Sequence, residues 1–188
     1  IPIYENDATR LRKDGHPFWL AGLGDQLAYM PARRFRPLKR IGVDDLGATL
    51  AKVSDDAPVI LMAHEPDIAR RVPSRVALQL SGHTHGGQVR LLGWSPIAPS
   101  GQDLAYGHIR MKCDVVVSGG LGCSLMPFRL GVPPEIVLVT VGGAAPAVIQ
   151  TRRLNNGAPE TVEIVLDGPL PIAETTTFTF DTGLEQPD

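Results

Sequence analysis

The chain has 188 residues and carries 18 Lys and Arg against 20 Asp and Glu, for a net charge of −2. That balance leaves no basic field for nucleic acid or anionic lipid as the main partner. Hydrophobic residues at 43% and charged residues at 20% exclude wholesale disorder and fibrous repeats, and aromatics at 5% disfavour a base-stacking platform.

The chain opens Ile1-Pro2-Ile3-Tyr4, without an initiator Met and in a segment that reads as a strand, so a piece of a longer protein is expected. No signal-peptide pattern and no run of 18 apolar residues occurs within it. His16 to Leu23 is a short apolar run closed by glycine and reads as a buried strand. Residues 24 to 40 are loop-like, and their Arg33, Arg34, Arg36, Lys39 and Arg40 read as a solvated surface or a substrate-facing flap. Asp44 to Val53 starts with acids and spaces Leu46, Leu50 and Val53 at four and three, the pattern of an amphipathic helix.

Ala57 to His64 is the next strand, and Glu65-Pro66-Asp67 breaks it, with Asp67 placed to cap a short helix reaching Val72. Val76 to Leu80 is a further strand that delivers Ser81-Gly82-His83-Thr84-His85-Gly86-Gly87-Gln88 at its carboxyl end. This alternation defines an α/β protein, whose ligands collect beyond the carboxyl ends of the strands. Beyond Gln88 the chain is strand-rich: 89–92, 105–112, 114–118 and 136–141, with 148–150 and 161–166 as extra edge strands. Residues 167 to 188, rich in Thr, Pro and acids, read as a frayed tail.

Three of the five histidines follow β-rich runs: His64 after one, His83 and His85 after another, between glycines. A neutral imidazole is the commonest protein ligand for zinc-like metals. In extended chain, positions two apart point the same way, so His83 and His85 are expected to face one pocket. The plainer alternative is a pair of loop histidines satisfied by backbone. His16 and His108 read as structural, and Cys113 as core. Glu65 and Asp67 fit capping and turn roles better than an acid–base pair. Gly119 to Ser124 lacks the Lys of a phosphate-binding loop and reads as a tight turn. Cys113 and Cys123 are too few for a disulfide framework and are read as reduced thiols of a cytosol-like compartment.

Leu61-Met62-Ala63-His64-Glu65-Pro66-Asp67 and Leu80 to Gln88 resemble the last two sequence blocks of the calcineurin-like metallophosphoesterases. Gly119 to Arg129, followed by Pro133-Pro134-Glu135-Ile136, is similar to the bacterial branch of membrane-associated phosphodiesterases and phosphohydrolases, as are Glu5 to Leu11 and Ala21 to Asp25. The resemblance covers roughly residues 1 to 142 and implies the C-terminal part of a four-layer α/β/β/α sandwich, supplying its second sheet, with 143–188 as extra strands and tail. It also implies hydrolysis of phosphomonoesters or phosphodiesters by a metal-activated water. Two divalent or trivalent ions of the Mn, Fe or Zn type would bridge the substrate phosphate, His64 and His83 holding one and His85 the other, with Arg129 a weaker candidate for substrate contact.

The family's Asp-x-His, Gly-Asp and Gly-Asn-His blocks, which supply the carboxylates, have no counterpart in this chain. Gly24-Asp25 falls after the place where they should end and is taken as a different feature. The three histidines alone are expected to hold at most one ion. The implied substrate is a small-molecule or lipid phosphate ester. The expected location is cytoplasmic, with membrane association through an upstream segment possible by this resemblance. Without its first half the chain is expected to self-associate or pair with another chain. The alternatives are a non-catalytic fragment or partner-binding module with an incomplete site, and a mononuclear zinc hydrolase.

Overall fold

The computed structural model describes residues 2–13, 15–29, 42–96, 98, 100–124, 126–140, 148–155 and 158–165. Six strands make one mixed sheet: β1 (Asp7–Lys13), β2 (His16–Gly22), β3 (Val59–Met62), β4 (Val76–Ser81), β5 (Gly107–Arg110) and β6 (Asp114–Val117), in the order β1-β2-β3-β4-β6-β5. Strands β2, β3, β4 and β6 run parallel. An antiparallel strand closes each edge, β1 on β2 and β5 on β6. With helix α1 (Leu46–Ala51) between β2 and β3, the chain is α/β.

The central strands are apolar on both faces because parallel strands are covered on both. On one face Trp19, Ala21, Val59, Leu61, Val76, Val115 and Val117 pack with Leu46 of α1, with Ile68, Ala69 and Val72 around a 3-10 turn (Pro66–Arg70), and with Leu104. On the other face Ile60, Leu78 and Val116 form a smaller cluster that Phe18, Leu20, Leu80, Val137 and Val139 flank. The predicted helix over 44–53 is present but shorter. Its N-cap, Asp45, accepts from the Ala48 N–H at 2.9 Å.

Three expectations change. Residues 2–4 are not a strand; among the described residues the chain enters the sheet at Asp7, and β1 pairs with β2 from Asp7↔Gly22 to Lys13↔His16. The 89–92 strand reduces to two isolated bridges, Val89↔Leu130 and Leu91↔Trp94, because Gln88 and Leu92, at φ 52° and 50°, turn the backbone out of the extended region. The last strands do not extend the main sheet: β7 (Glu135–Thr140), β8 (Val148–Asn155) and β9 (Ala158–Val165) form a second, antiparallel sheet in that order. The basic run Arg33 to Arg40 and the 167–188 tail lie outside the described residues. Among the described residues no helix is long and apolar enough to cross a membrane.

Candidate metal centre

The register of β3 on β4 (Met62↔Leu80) continues past both strands. Ala63 N–H donates to Leu80 O and Gly82 N–H to His64 O, each at 3.0 Å, and Ser118 N–H donates to Ser81 O at 2.9 Å. His64 is thereby held beside Gly82: a Cβ there would sit 3.9 Å from His64 Nδ1, an ordinary contact. The position is the carboxyl end of adjacent parallel strands, where α/β sheets bind ligands. An open cleft beside it is lined by Tyr4, Gly22, Met62, Ala63, His64 and Leu80, among others.

His64, Glu65 and His83 each present a ligand atom there, and these atoms lie within 4.8 Å of one another. The two rings meet edge to face with centroids 5.2 Å apart. Glu65 Oε1 is 3.8 Å from His83 Nδ1, and the glutamate is only 3% exposed. A carboxylate taken out of water needs partners, and its Oε2 accepts from the Gln26 N–H at 3.2 Å. Two imidazoles and one carboxylate are a donor set suited to Zn, Mn or Fe type ions, so the residues fit the metal that the resemblance implies.

The sequence reading gave Glu65 a capping role, and the structure corrects this. Glu65 precedes the 3-10 turn but its side chain caps nothing. Nor is Asp67 the cap: its Oδ2 accepts from Ser100 Oγ at 2.6 Å. Asp25 Oδ1 accepts from the Leu27 N–H at 2.7 Å within its own turn. His108 Nε2 lies 2.8 Å from Asp114 Oδ1 on the edge pair β5–β6, in keeping with a structural role, while His16 is exposed at the start of β2.

The extended backbone from which His83 and His85 were expected to face one pocket is not present. The strand has ended at Ser81 and the backbone is bent, not extended: φ is +66° at His83, −73° at Thr84 and +52° at His85. His83 turns to His64 and Glu65, whereas His85 Nδ1 lies 3.0 Å from Gly122 O. Non-glycine residues at positive φ are sterically costly and persist only where the surroundings over-determine them. Here Thr84 Oγ1 donates to Ala105 O at 2.6 Å and accepts from the Gly86 N–H at 3.3 Å. Gly86, at φ +64°, faces Val132 and Tyr106.

A second loop, 119–130, is fastened over this one. Gln88, 5% exposed, donates from Nε2 to Met126 O at 2.7 Å and Phe128 O at 3.1 Å, and its Oε1 accepts from the Ser124 N–H at 2.8 Å. Buried Glu135 accepts from the Tyr106 hydroxyl at 2.6 Å and from the Gly119 N–H at 2.7 Å. Arg129 reaches back to donate to Gly119 O, Gly122 O and His85 O, so its donors go to backbone carbonyls. Glu65 was assigned to a turn, and Gln88 and Glu135 were not singled out, although all three lie within the segments that carry the family resemblance.

Cys113 is buried in the core, and loss of hydration pushes its thiol up to about 11, with Asp114 adding to the effect. Cys123 is exposed on the 119–130 loop, and both thiols are free.

Comparison with known proteins gives the family. The chain is 39% identical over 144 residues to the "Uncharacterized metallophosphoesterase YkuE" of Bacillus subtilis, covering 74% of this chain and 46% of that protein. It is 35% identical over 105 residues to an "Uncharacterized metallophosphoesterase" of Aquifex aeolicus, covering 55% and 40% respectively. A bovine "Transmembrane protein with metallophosphoesterase domain" is 33% identical over 103 residues, covering 53% of this chain and 23% of that protein. No family model matches the chain, and no solved structure matches it. The chain belongs to the calcineurin-like metallophosphoesterase superfamily, a family of metal-dependent hydrolases. It spans about half the length of the bacterial relatives named here.

Proposed function

We propose that the full-length protein hydrolyses a phosphomonoester or phosphodiester, and that this chain contributes His64, Glu65 and His83 to one metal ion and His85 to a second. The observation that carries this reading is the convergence of those three ligand atoms at the ends of β3 and β4. Bound ions of the Mn, Fe or Zn type supply Lewis acidity, which clamps the phosphate and makes a bound water acidic enough to attack. The protein's part is positional. Glu65 brings a carboxylate to the two rings from a buried site, and positive φ at His83 and His85 sets where each imidazole leaves the loop. A pair of bridged ions needs further carboxylates, which fits the absence of the family's three earlier blocks from these 188 residues.

An exposed apolar rim on the segment after Gln88 supports an ester with an apolar portion. Leu91, Leu92 and Trp94 are 62%, 108% and 60% exposed. They extend from the segment where Arg90 N–H donates to Leu130 O at 2.7 Å, next to exposed Phe128 and Leu130. Such a rim suits a lipid phosphate, or a membrane surface on which that lipid lies. A second reading, a partner-binding module without catalysis, is favoured by the incompletely covered sheet face, where Leu11 and Met62 stay 36% exposed.

The test is turnover of a nitrophenyl phosphate ester by the full-length protein, with metal stoichiometry measured alongside. His83→Ala and Glu65→Gln are each expected to lower activity and to remove bound metal. A protein that binds one ion or none and turns over no ester supports the module instead. Turnover of a micellar lipid phosphate no faster than the soluble ester removes the lipid assignment.

A further inference from the structure

Arg129 is only partly buried, yet it offers little to a substrate. Its Nε donates to Gly122 O at 2.9 Å, Nη2 donates to Gly119 O at 2.6 Å and also to Gly122 O, and Nη1 donates to His85 O at 3.3 Å. A guanidinium is the one side chain with enough donors, in a fixed planar fork, to hold three carbonyls at once. The carbonyl it grips hardest, Gly122 O, is the one that stands 3.0 Å from His85 Nδ1.

We propose that Arg129 is a positioning residue: by clamping Gly122 O against His85 Nδ1 it fixes the tautomer and direction of the His85 ring, so that Nε2 is presented as the ligand atom. This rests on the phosphoesterase reading only for what Nε2 then binds.

Two neighbours compete for Nδ1. Arg129 Nη2, 3.4 Å away, is a donor and favours a bare Nδ1. Gly122 O, at 3.0 Å, is an acceptor and favours Nδ1–H. The first separation is beyond a good N–H···N bond, and the second is within the normal N–H···O range. Nδ1–H therefore prevails, and the lone pair moves to Nε2. A ring nitrogen offered to a metal is set by the bond that the other nitrogen makes. Without Arg129, Gly122 loses its anchor to both Gly119 and His85, and nothing else among the described contacts of Gly122 holds its carbonyl at Nδ1.

The experiment reads the tautomer directly. Nitrogen-15 two-bond correlation spectra of the histidine rings are recorded on the metal-free full-length protein, above the pH range where histidine protonates. The expected result is an Nδ1–H signature for His85 in the natural sequence and a mixed-tautomer signature in Arg129→Gln. Ethylguanidinium added to Arg129→Gly should restore the Nδ1–H signature. His108, paired with Asp114 at 2.8 Å on the edge pair β5–β6, is the folding control in the same spectrum. Its signature should not move. In turnover, Arg129→Gln is expected to lower kcat about 10- to 100-fold with KM little changed, the usual scale for a partner that orients a ligand. An unchanged His85 signature in Arg129→Gln, with His108 intact, overturns the proposal. So does a rise in KM alone, which would make Arg129 a substrate contact. A protein that hydrolyses no phosphate ester sinks the phosphoesterase reading but leaves the tautomer result standing.

Discussion

Gly86 separates the two costs that a side chain meets at this site. Its φ is +64°, and a Cβ built there would lie 2.6 Å from Val132 Cγ1 and 3.0 Å from Tyr106 Cδ2. Gly93 has φ +84° but nothing within 4 Å. Gly93→Ala therefore incurs only the left-handed backbone cost, about 1 kcal/mol. Gly86→Ala adds overpacking, about 1–3 kcal/mol, for a total of about 2–4 kcal/mol. Gly82→Ala, whose Cβ would make ordinary contacts near 3.9 Å with His64, should stay within about 0.5 kcal/mol of the parent. Urea unfolding of the three variants in the full-length protein reads these differences. With a slope of about 1–3 kcal/mol per molar, Gly86→Ala should unfold at a midpoint clearly below that of Gly93→Ala. Coincident midpoints would refute the argument, because they would mean that Val132 and Tyr106 yield freely and that the His85 loop is not tightly backed.

Two further outcomes follow from single groups. Cys123, exposed, should react with a thiol reagent in the native state at neutral pH, while Cys113, with its thiol pushed up to about 11, should react only on unfolding; two equally fast thiols would contradict the burial of Cys113. Asp55 is held below the ordinary carboxylate value chiefly by the Trp19 Nε1–H at 2.8 Å, then by the Ala57 N–H and Arg10. Its contribution is present above the unfolded value of about 4 and is lost as pH falls through the lower folded value. The stability difference between the parent and Asp55→Asn should therefore shrink on acidification, and a constant difference would show that Asp55 is not the titrating group.

The parallel strands were legible because burial on both faces leaves unbroken apolar runs such as Val59-Ile60-Leu61-Met62. Strand β1 was not, because Asp7-Ala8-Thr9-Arg10-Leu11-Arg12-Lys13 is an edge strand with no buried residue, so its sequence keeps the charges of a surface. At the site, His64 and His83 were legible as strand-end histidines. The role of Glu65 was not, since a sequence does not show whether a carboxylate after a strand caps the next turn or folds inward. The bent backbone at His83 and His85 was hidden for another reason. It depends on positive φ at non-glycine residues, held in part by the carbonyl of Ala105, far along the chain, which accepts from Thr84 Oγ1.

The order of the strands also sets when the site comes into being. The edge pairs β1–β2 and β5–β6 close over short turns and form quickly. The parallel pairs β2–β3, β3–β4 and β4–β6 each bring together segments separated by intervening chain, and such non-local pairings form later. His64 and His83 sit at the ends of one such slow pair, and the loop that fastens His85 lies downstream of β6. Every proposed ligand thus depends on contacts that form late. If the proposed site holds a metal, its capture would mark the end of folding, since a chain still acquiring its sheet has no assembled site.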